Sequence, residues 1–113
     1  VLAAVAVEVL ETRCKNGPAR IVRVIDHPGI VTAATKIMEQ LHLTGLVGID
    51  FILDVEGAAH LIEVNARVTP TCRLALGTGS DPVGALRSLF PGGTTAAAVP
   101  NSVGSIIDLA ALD

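Results

Sequence analysis

From Leu46 onward the hydrophobic period of the chain is two. Ile49, Phe51 and Leu53 alternate with Gly48, Asp50 and Ile52, and a returning run from Ala58 to Asn65 follows a turn at Asp54-Val55-Glu56-Gly57. Such alternation on both sides of an Asp/Gly turn predicts a β-hairpin. If Asp54 to Gly57 closes a two- or four-residue turn, opposed residue numbers sum to 111. Asp50 then faces Leu61, Gly48 faces Glu63 and Leu46 faces Asn65. Opposed residues share a face, as does every second residue along a strand, so Asp50, Glu63 and Asn65 project from one side. Asp50 and Glu63 are expected as diagonal neighbours roughly 7 to 8 Å apart, with Gly48 leaving room beside Glu63. The other side carries Ile49, Phe51, Leu53, Ile62 and Val64, with His60 as its one polar member. A strand pair of this kind must be covered on its apolar face.

The cover is a helix. Asp26 or His27 suits its cap, Pro28 its first turn, and Gly45 lies just past its end. Ile30, Val31, Ala34, Ile37, Met38 and Leu41 recur at helical spacing, which predicts a helix over 28–43 with one face to bury. Upstream, the β-branched run Val1 to Thr12 reads as a strand buried on both faces. A turn at Lys15-Asn16-Gly17-Pro18 and a second strand over about 19–25 follow it. Downstream, Asp81-Pro82 opens a short helix to about Leu89, and Pro91-Gly92-Gly93 ends it. The fold class expected is α+β, a mostly antiparallel sheet with helices packed on one face. Residues 1–93 form one unit, and 94–113 an apolar tail, a strand or a loose extension.

Composition narrows the function classes. A chain of 113 residues is one domain. Half of it is hydrophobic, yet Phe51 and Phe90 are its two aromatics, so the core is aliphatic. Charged residues make up 17 %, against about 25 % in ordinary soluble domains. The apolar run from Val1 to Leu10 is interrupted by Glu8 and is far short of the roughly 18 to 20 residues that span a bilayer, so no membrane association is expected. It also lacks the basic leader and cleavage site of a signal peptide. A net charge of −3 without a basic run argues against nucleic acid. Cys14 and Cys72 match no metal or redox spacing and read as unpaired small hydrophobes, so a reduced, cytoplasmic setting is the default. Because the chain begins with Val, a longer parent is expected.

Two carboxylates on one sheet face repel each other unless a cation neutralises them. Carboxylate and amide oxygens are hard donors that suit magnesium or manganese. Arg67, two residues beyond Asn65, keeps the same parity if the strand continues, and a guanidinium beside hard metal ligands is what a polyphosphate requires. The competing reading is a solvated face of a two-sided sheet. Gly77-Thr78-Gly79-Ser80-Asp81 fits neither the dinucleotide nor the P-loop pattern, and the Asp81 cap accounts for it. Arg73 reads as a surface ion-pair residue, with a substrate carboxylate as the alternative. His27, His42 and His60 form no ligand set: His27 belongs to the helix start and His60 is a half-buried histidine. Asp54 and Glu56 are turn residues.

The segment from Gly45 to Arg67, with Asp50 on the first strand and Glu63-Val64-Asn65-Ala66-Arg67 on the second, resembles the C-terminal metal-binding hairpin of the ATP-grasp superfamily. The match is specific over 44–67 and weaker over about 17–90. The resemblance implies that Asp50, Glu63 and Asn65 hold Mg2+ (or Mn2+) bridging the ATP phosphates. It also implies that Arg67 touches phosphate or the acyl-phosphate intermediate. The thirteen-residue spacing from Asp50 to Glu63 agrees with the D-alanine ligase type, whereas many relatives have Pro where this chain has Ala66. An ATP-grasp domain also needs a first subdomain with a glycine-rich loop and phosphate-binding lysines, and this chain has only Lys15 and Lys36. The expectation is the C-terminal subdomain of an ATP-dependent carboxylate–amine ligase, with ATP, a small carboxylate, a nucleophile and an N-terminal subdomain as partners. The fragment alone is expected to be inactive. The alternative is a non-catalytic ATP-grasp remnant serving oligomerisation or regulation. An exposed sheet edge or apolar patch, and a homo-oligomer that covers it, follow from the aliphatic composition.

Overall fold

In a computed structural model of the chain, the described residues are 1–76, 79–90, 92 and 102–112. The elements are β1 (Ala6–Thr12), β2 (Ala19–Ile25), α1 (Pro28–Gln40), β3 (Gly48–Leu53), β4 (Ala59–Asn65), α2 (Pro82–Ser88) and β5 (Ile106–Asp108). Two 3₁₀ turns, Pro70–Arg73 and Leu109–Leu112, join them. The architecture is α+β. Its strands are all antiparallel but lie in two sheets, β1-β2-β5 and β3-β4, rather than one.

Strand β2 organises the first sheet. Val22 and Val24 point inward and meet Leu74 and Leu109, forming the fully buried cluster, with Val5, Val7, Leu76 and Ile107 packed around it. Between them Arg23 points outward to Glu8 at 3.0 Å, while Arg20 lies 3.5 Å from Glu11 and 3.8 Å from Asp108. These pairs are solvent-exposed and contribute up to about 1 kcal/mol each, so the aliphatic cluster holds the sheet together. Strand β5 pairs with β2 through Val22–Ile107, which brings Leu109 into the core. The part of 94–113 that is described is thus tied to the centre of the sheet.

Residues Val1 to Thr12 do not form a strand buried on both faces. The strand begins at Ala6, lies at the sheet edge among the described strands, and leaves Val9 and Leu10 exposed. Leu10 falls in a register shift between Val9 and Glu11, a bulge that turns the strand away from its neighbour. Among the described residues no strand pairs with the outer edge of β1, and the expected exposed aliphatic side chains are present, with Ile52, Leu61 and Ile62 adding to them. No described helix is long and apolar enough to cross a membrane.

Helix α1 is capped by His27, whose Nδ1 accepts the Ile30 N–H at 3.0 Å. It stops at Gln40 rather than near residue 43. The Leu43 N–H donates to the Met38 carbonyl at 2.9 Å and the His42 N–H to Glu39 at 3.2 Å, the two bonds of a Schellman closure. His42, with φ 51°, therefore takes the left-handed position that Gly45 was expected to serve. Since that region costs a non-glycine residue about 1 kcal/mol or more, His42→Gly is expected to stabilise the fold by roughly 1 kcal/mol, read as a higher urea midpoint.

Ile30, Val31, Ala34 and Met38 of α1 line one cavity of about 150 Å³ together with Ile49 and Phe51 of β3. The helix thus packs over the Ile49–Phe51 part of the apolar face, while Leu53 and Leu61 stay exposed and none of the helix residues is fully buried.

The hairpin register differs from the simple one. Leu53 pairs with Ala59 and Phe51 with Leu61, sums of 112, and then Asp50 pairs with Glu63 and Gly48 with Asn65, sums of 113. Two extra residues on the return strand explain this. Gly57, with φ 83°, follows a turn in which the Gly57 N–H donates to Asp54 O at 3.0 Å, a glycine bulge that adds the first. Ile62 adds the second at the shift between Asp50 and Phe51. His60 consequently pairs with Ile52, not with the apolar row, and is exposed rather than half-buried.

Candidate metal and phosphate site

The register sets the geometry of the acidic face. Asp50 stands directly across from Glu63, and the next rung with the same parity is Gly48 across from Asn65. Directly opposed Cβ atoms are about 4.5 to 5.5 Å apart, closer than the diagonal spacing expected from the sequence. All three donors share one face. Asp50 and Glu63 are exposed and Asn65 is half-buried at the end of β4.

The electrostatics follow from that proximity. The Asp50 carboxyl is raised from its ordinary value, first because neighbouring atoms strip part of its hydration and second because Glu63 is negative. A site that penalises its own ionised form in this way favours a cation. Two carboxylates and an amide oxygen on one rigid strand pair are hard donors of the kind magnesium and manganese take, so the residues fit such an ion. Among the described residues no group of three or more His, Cys, Asp or Glu side chains is placed to hold a metal ion, and the acidic face offers two carboxylates and one amide.

Arg67 does not continue the strand. Its N–H donates to the Asn65 carbonyl at 2.8 Å, a tight turn that ends β4. The parity expected for it therefore fails, because no ladder extends past Asn65. Arg67 reaches the site instead by its side chain: Nη2 lies 3.5 Å from Asn65 Oδ1 and Nη1 3.3 Å from the Val68 carbonyl. Its guanidinium sits beside the metal-type donors, as a phosphate contact requires.

Gly48 lies beside Asn65, not beside Glu63 as expected, and the space over it is taken. A Cβ there would lie 2.5 Å from Thr69 Cγ2 and 3.0 Å from its Oγ1. Because Gly48 shares the parity of Asp50, this places Thr69 on the acidic face. Sequence reasoning passed over Thr69, since nothing in the Thr69-Pro70-Thr71 loop signals which strand it folds back on.

Other candidates resolve more simply. The Asp54 carboxylate accepts N–H bonds from Glu56 and Ala58 at 2.9 and 3.0 Å and contacts His60 Nε2 at 2.9 Å. The hydrogen bond to His60, followed by the bond from Ala58, holds its carboxyl below the ordinary value. Asp54 is therefore a turn residue. Asp81 accepts the Gly84 N–H at 2.9 Å as the cap of α2, while Gly77 and Thr78 lie outside the described residues. Both cysteines are free thiols, as expected, with Cys14 exposed and Cys72 half-buried. Arg73 is exposed at the end of its 3₁₀ turn.

Comparison with known proteins adds an independent line. A family model described as "ATP-grasp in the biosynthetic pathway with Ter operon" matches residues 3–109. The match takes in both sheets, both helices and every residue of the acidic face. No curated protein and no solved structure matches the chain. The sequence match over nearly the whole length and the α+β hairpin architecture agree, and the chain belongs to the ATP-grasp family.

Proposed function

We propose that the chain is the metal- and phosphate-binding half of an ATP-dependent carboxylate–amine ligase. The observation that carries this reading is the rung of Asp50 against Glu63, with Asn65 one same-face rung away and Arg67 beside it. Asp50, Glu63 and Asn65 would hold Mg2+ or Mn2+. When bound, the ion supplies charge neutralisation for the ATP phosphates and a fixed template for in-line transfer. Arg67 balances phosphate charge from the end of β4. The ATP γ-phosphoryl group passes to a substrate carboxylate oxygen, giving ADP and an acyl-phosphate. An amine then attacks the acyl carbon and inorganic phosphate leaves. No side chain need act as a covalent nucleophile, because positioning and electrostatics lower the barrier.

A lid subdomain with a glycine-rich loop and phosphate-binding lysines belongs to this reading, as does association between copies. The edge position of β1 among the described strands and the exposed Val9, Leu10 and Ile62 support both. The test is trapping with hydroxylamine in the full natural chain, using ATP, Mg2+ and a panel of small carboxylates. Hydroxamate formation that disappears in Glu63→Gln and Asn65→Ala, both still folded by circular dichroism, is the expected result. Undiminished hydroxamate in either variant contradicts the assignment.

A further inference from the structure

Among the described residues the guanidinium of Arg67 has no short partner of its own. Its contacts, 3.3 Å to Val68 O and 3.5 Å to Asn65 Oδ1, are long ones that phosphate oxygens would replace. Its position must therefore come from its backbone. On one side that backbone is tied by the 2.8 Å bond from the Arg67 N–H to Asn65 O. On the other side the chain is free to swing unless something downstream anchors it.

That anchor is Thr69. Its side chain fills the volume a Cβ would occupy on Gly48, so the absence of that one carbon lets the loop settle against β3 at the Asn65 rung. Around this contact the Thr69 carbonyl accepts the Cys72 N–H at 3.1 Å, and the Thr69 and Thr71 hydroxyls lie 3.3 Å apart. Pro70 then opens a 3₁₀ turn leading to Leu74, fully buried in the core. Segment 66–73 is thus held at Asn65, at Gly48 and at Leu74, and the middle contact lies two residues from Arg67.

We infer that Thr69, seated on Gly48, is a positioning residue that sets Arg67 for the phosphate. This rests on the reading of Arg67 as the phosphate contact. The nearest approach is to Cγ2, so the methyl carries more of the fit than the hydroxyl. Gly48→Ala expels Thr69 and lets Arg67 drift, while the metal donors stay on their strands. Displacement of a charged group by about 1 Å is enough to cost one to two orders of magnitude in productive contact with a substrate.

The test compares wild type, Gly48→Ala, Gly48→Ala/Thr69→Gly, Thr69→Val and Thr69→Ser in the full natural chain. Three quantities are read: Mn2+ affinity without nucleotide, affinity for AMP-PNP with Mn2+ present, and amide exchange at Arg67 and Cys72 in the ligand-free protein. Gly48→Ala is expected to weaken AMP-PNP about tenfold or more, with Mn2+ affinity changed less than about threefold and exchange at Cys72 about tenfold faster. The double variant, which adds a methyl at position 48 and removes the whole Thr69 side chain facing it, is expected to recover both to within about threefold. Thr69→Val is expected to behave as wild type and Thr69→Ser to be weakened. Wild-type AMP-PNP binding and exchange in Gly48→Ala, no recovery in the double variant, or the reverse order of Val and Ser overturns the inference. If wild type itself binds no AMP-PNP, the ATP reading fails and Arg67 loses its role. That outcome is told apart because Cys72 exchange still responds to Gly48→Ala.

Discussion

Asp50→Asn is expected to lower divalent-cation affinity by roughly 100-fold or more, since even partners one shell outside a metal cost 10- to 100-fold when removed. The same change is expected to make the metal-free protein more stable at neutral pH. The reason is the position of Asp50 opposite Glu63, where lost hydration and a like charge raise its carboxyl from the ordinary 3.8. A carboxyl raised in the folded state favours folding most when protonated. Its contribution is full below the unfolded value and is lost as pH climbs through the folded value. Above that point the ionised pair opposes folding, and asparagine removes the opposition. Because the side chain is exposed, the gain is a few tenths of a kcal/mol up to about 1 kcal/mol. Urea denaturation at neutral pH and at pH about 3 checks the sign: the variant should exceed wild type at the first, and the two should converge at the second. Lower stability of the metal-free variant at neutral pH would contradict the reading of Asp50 as a strained metal ligand.

The second large effect concerns the fold. Leu109→Ala is expected to cost about 2 to 5 kcal/mol, the range for truncating a fully buried leucine. Leu109 is 1 % exposed and packs on Val22, Val24 and Leu74, which with it make up the fully buried cluster. Domains of this size are stable by only about 5 to 15 kcal/mol, so losing one of four such side chains takes a large share. Loss of the leucine also unties β5, which reaches β2 through three pairs, Ile21–Asp108, Val22–Ile107 and Arg23–Ile106. Exposed Leu89→Ala serves as the control, with a change within about 0.5 kcal/mol. Equal effects of the two substitutions would show that the C-terminal residues are not part of the core.

Much of this site is legible in the sequence, because strand alternation records which face a residue takes even when the pairing is wrong. The bulges at Gly57 and Ile62 each shift the register by one. Two shifts cancel in parity, so Asp50, Glu63 and Asn65 share a face under the simple pairing and under the real one. The exact partners were not legible. A left-handed glycine after the turn and an extra isoleucine in an apolar run leave no mark in the hydrophobic pattern.

The same limit explains the other differences. Aliphatic content cannot tell an edge strand from a central one, so β1 looks buried when Val9 and Leu10 are exposed. A glycine attracts the prediction of a helix end, yet His42 takes the left-handed turn three residues earlier. Arg67 follows strand parity only if the ladder continues, and the Asn65–Arg67 turn stops it. The seat of Thr69 on Gly48 is a contact across 21 residues, set by where the loop folds and not by its composition.

The central claim is that Asp50, Glu63 and Asn65 hold a divalent ion that meets the phosphates of ATP. Pulsed electron–nuclear double resonance on Mn2+ bound to the full natural chain with AMP-PNP tests it most directly. The account predicts a bound Mn2+ signal with ³¹P hyperfine coupling in wild type, and its disappearance in Asp50→Asn. A spectrum indistinguishable from Mn2+–AMP-PNP in buffer, or ³¹P coupling that survives Asp50→Asn unchanged, would contradict it.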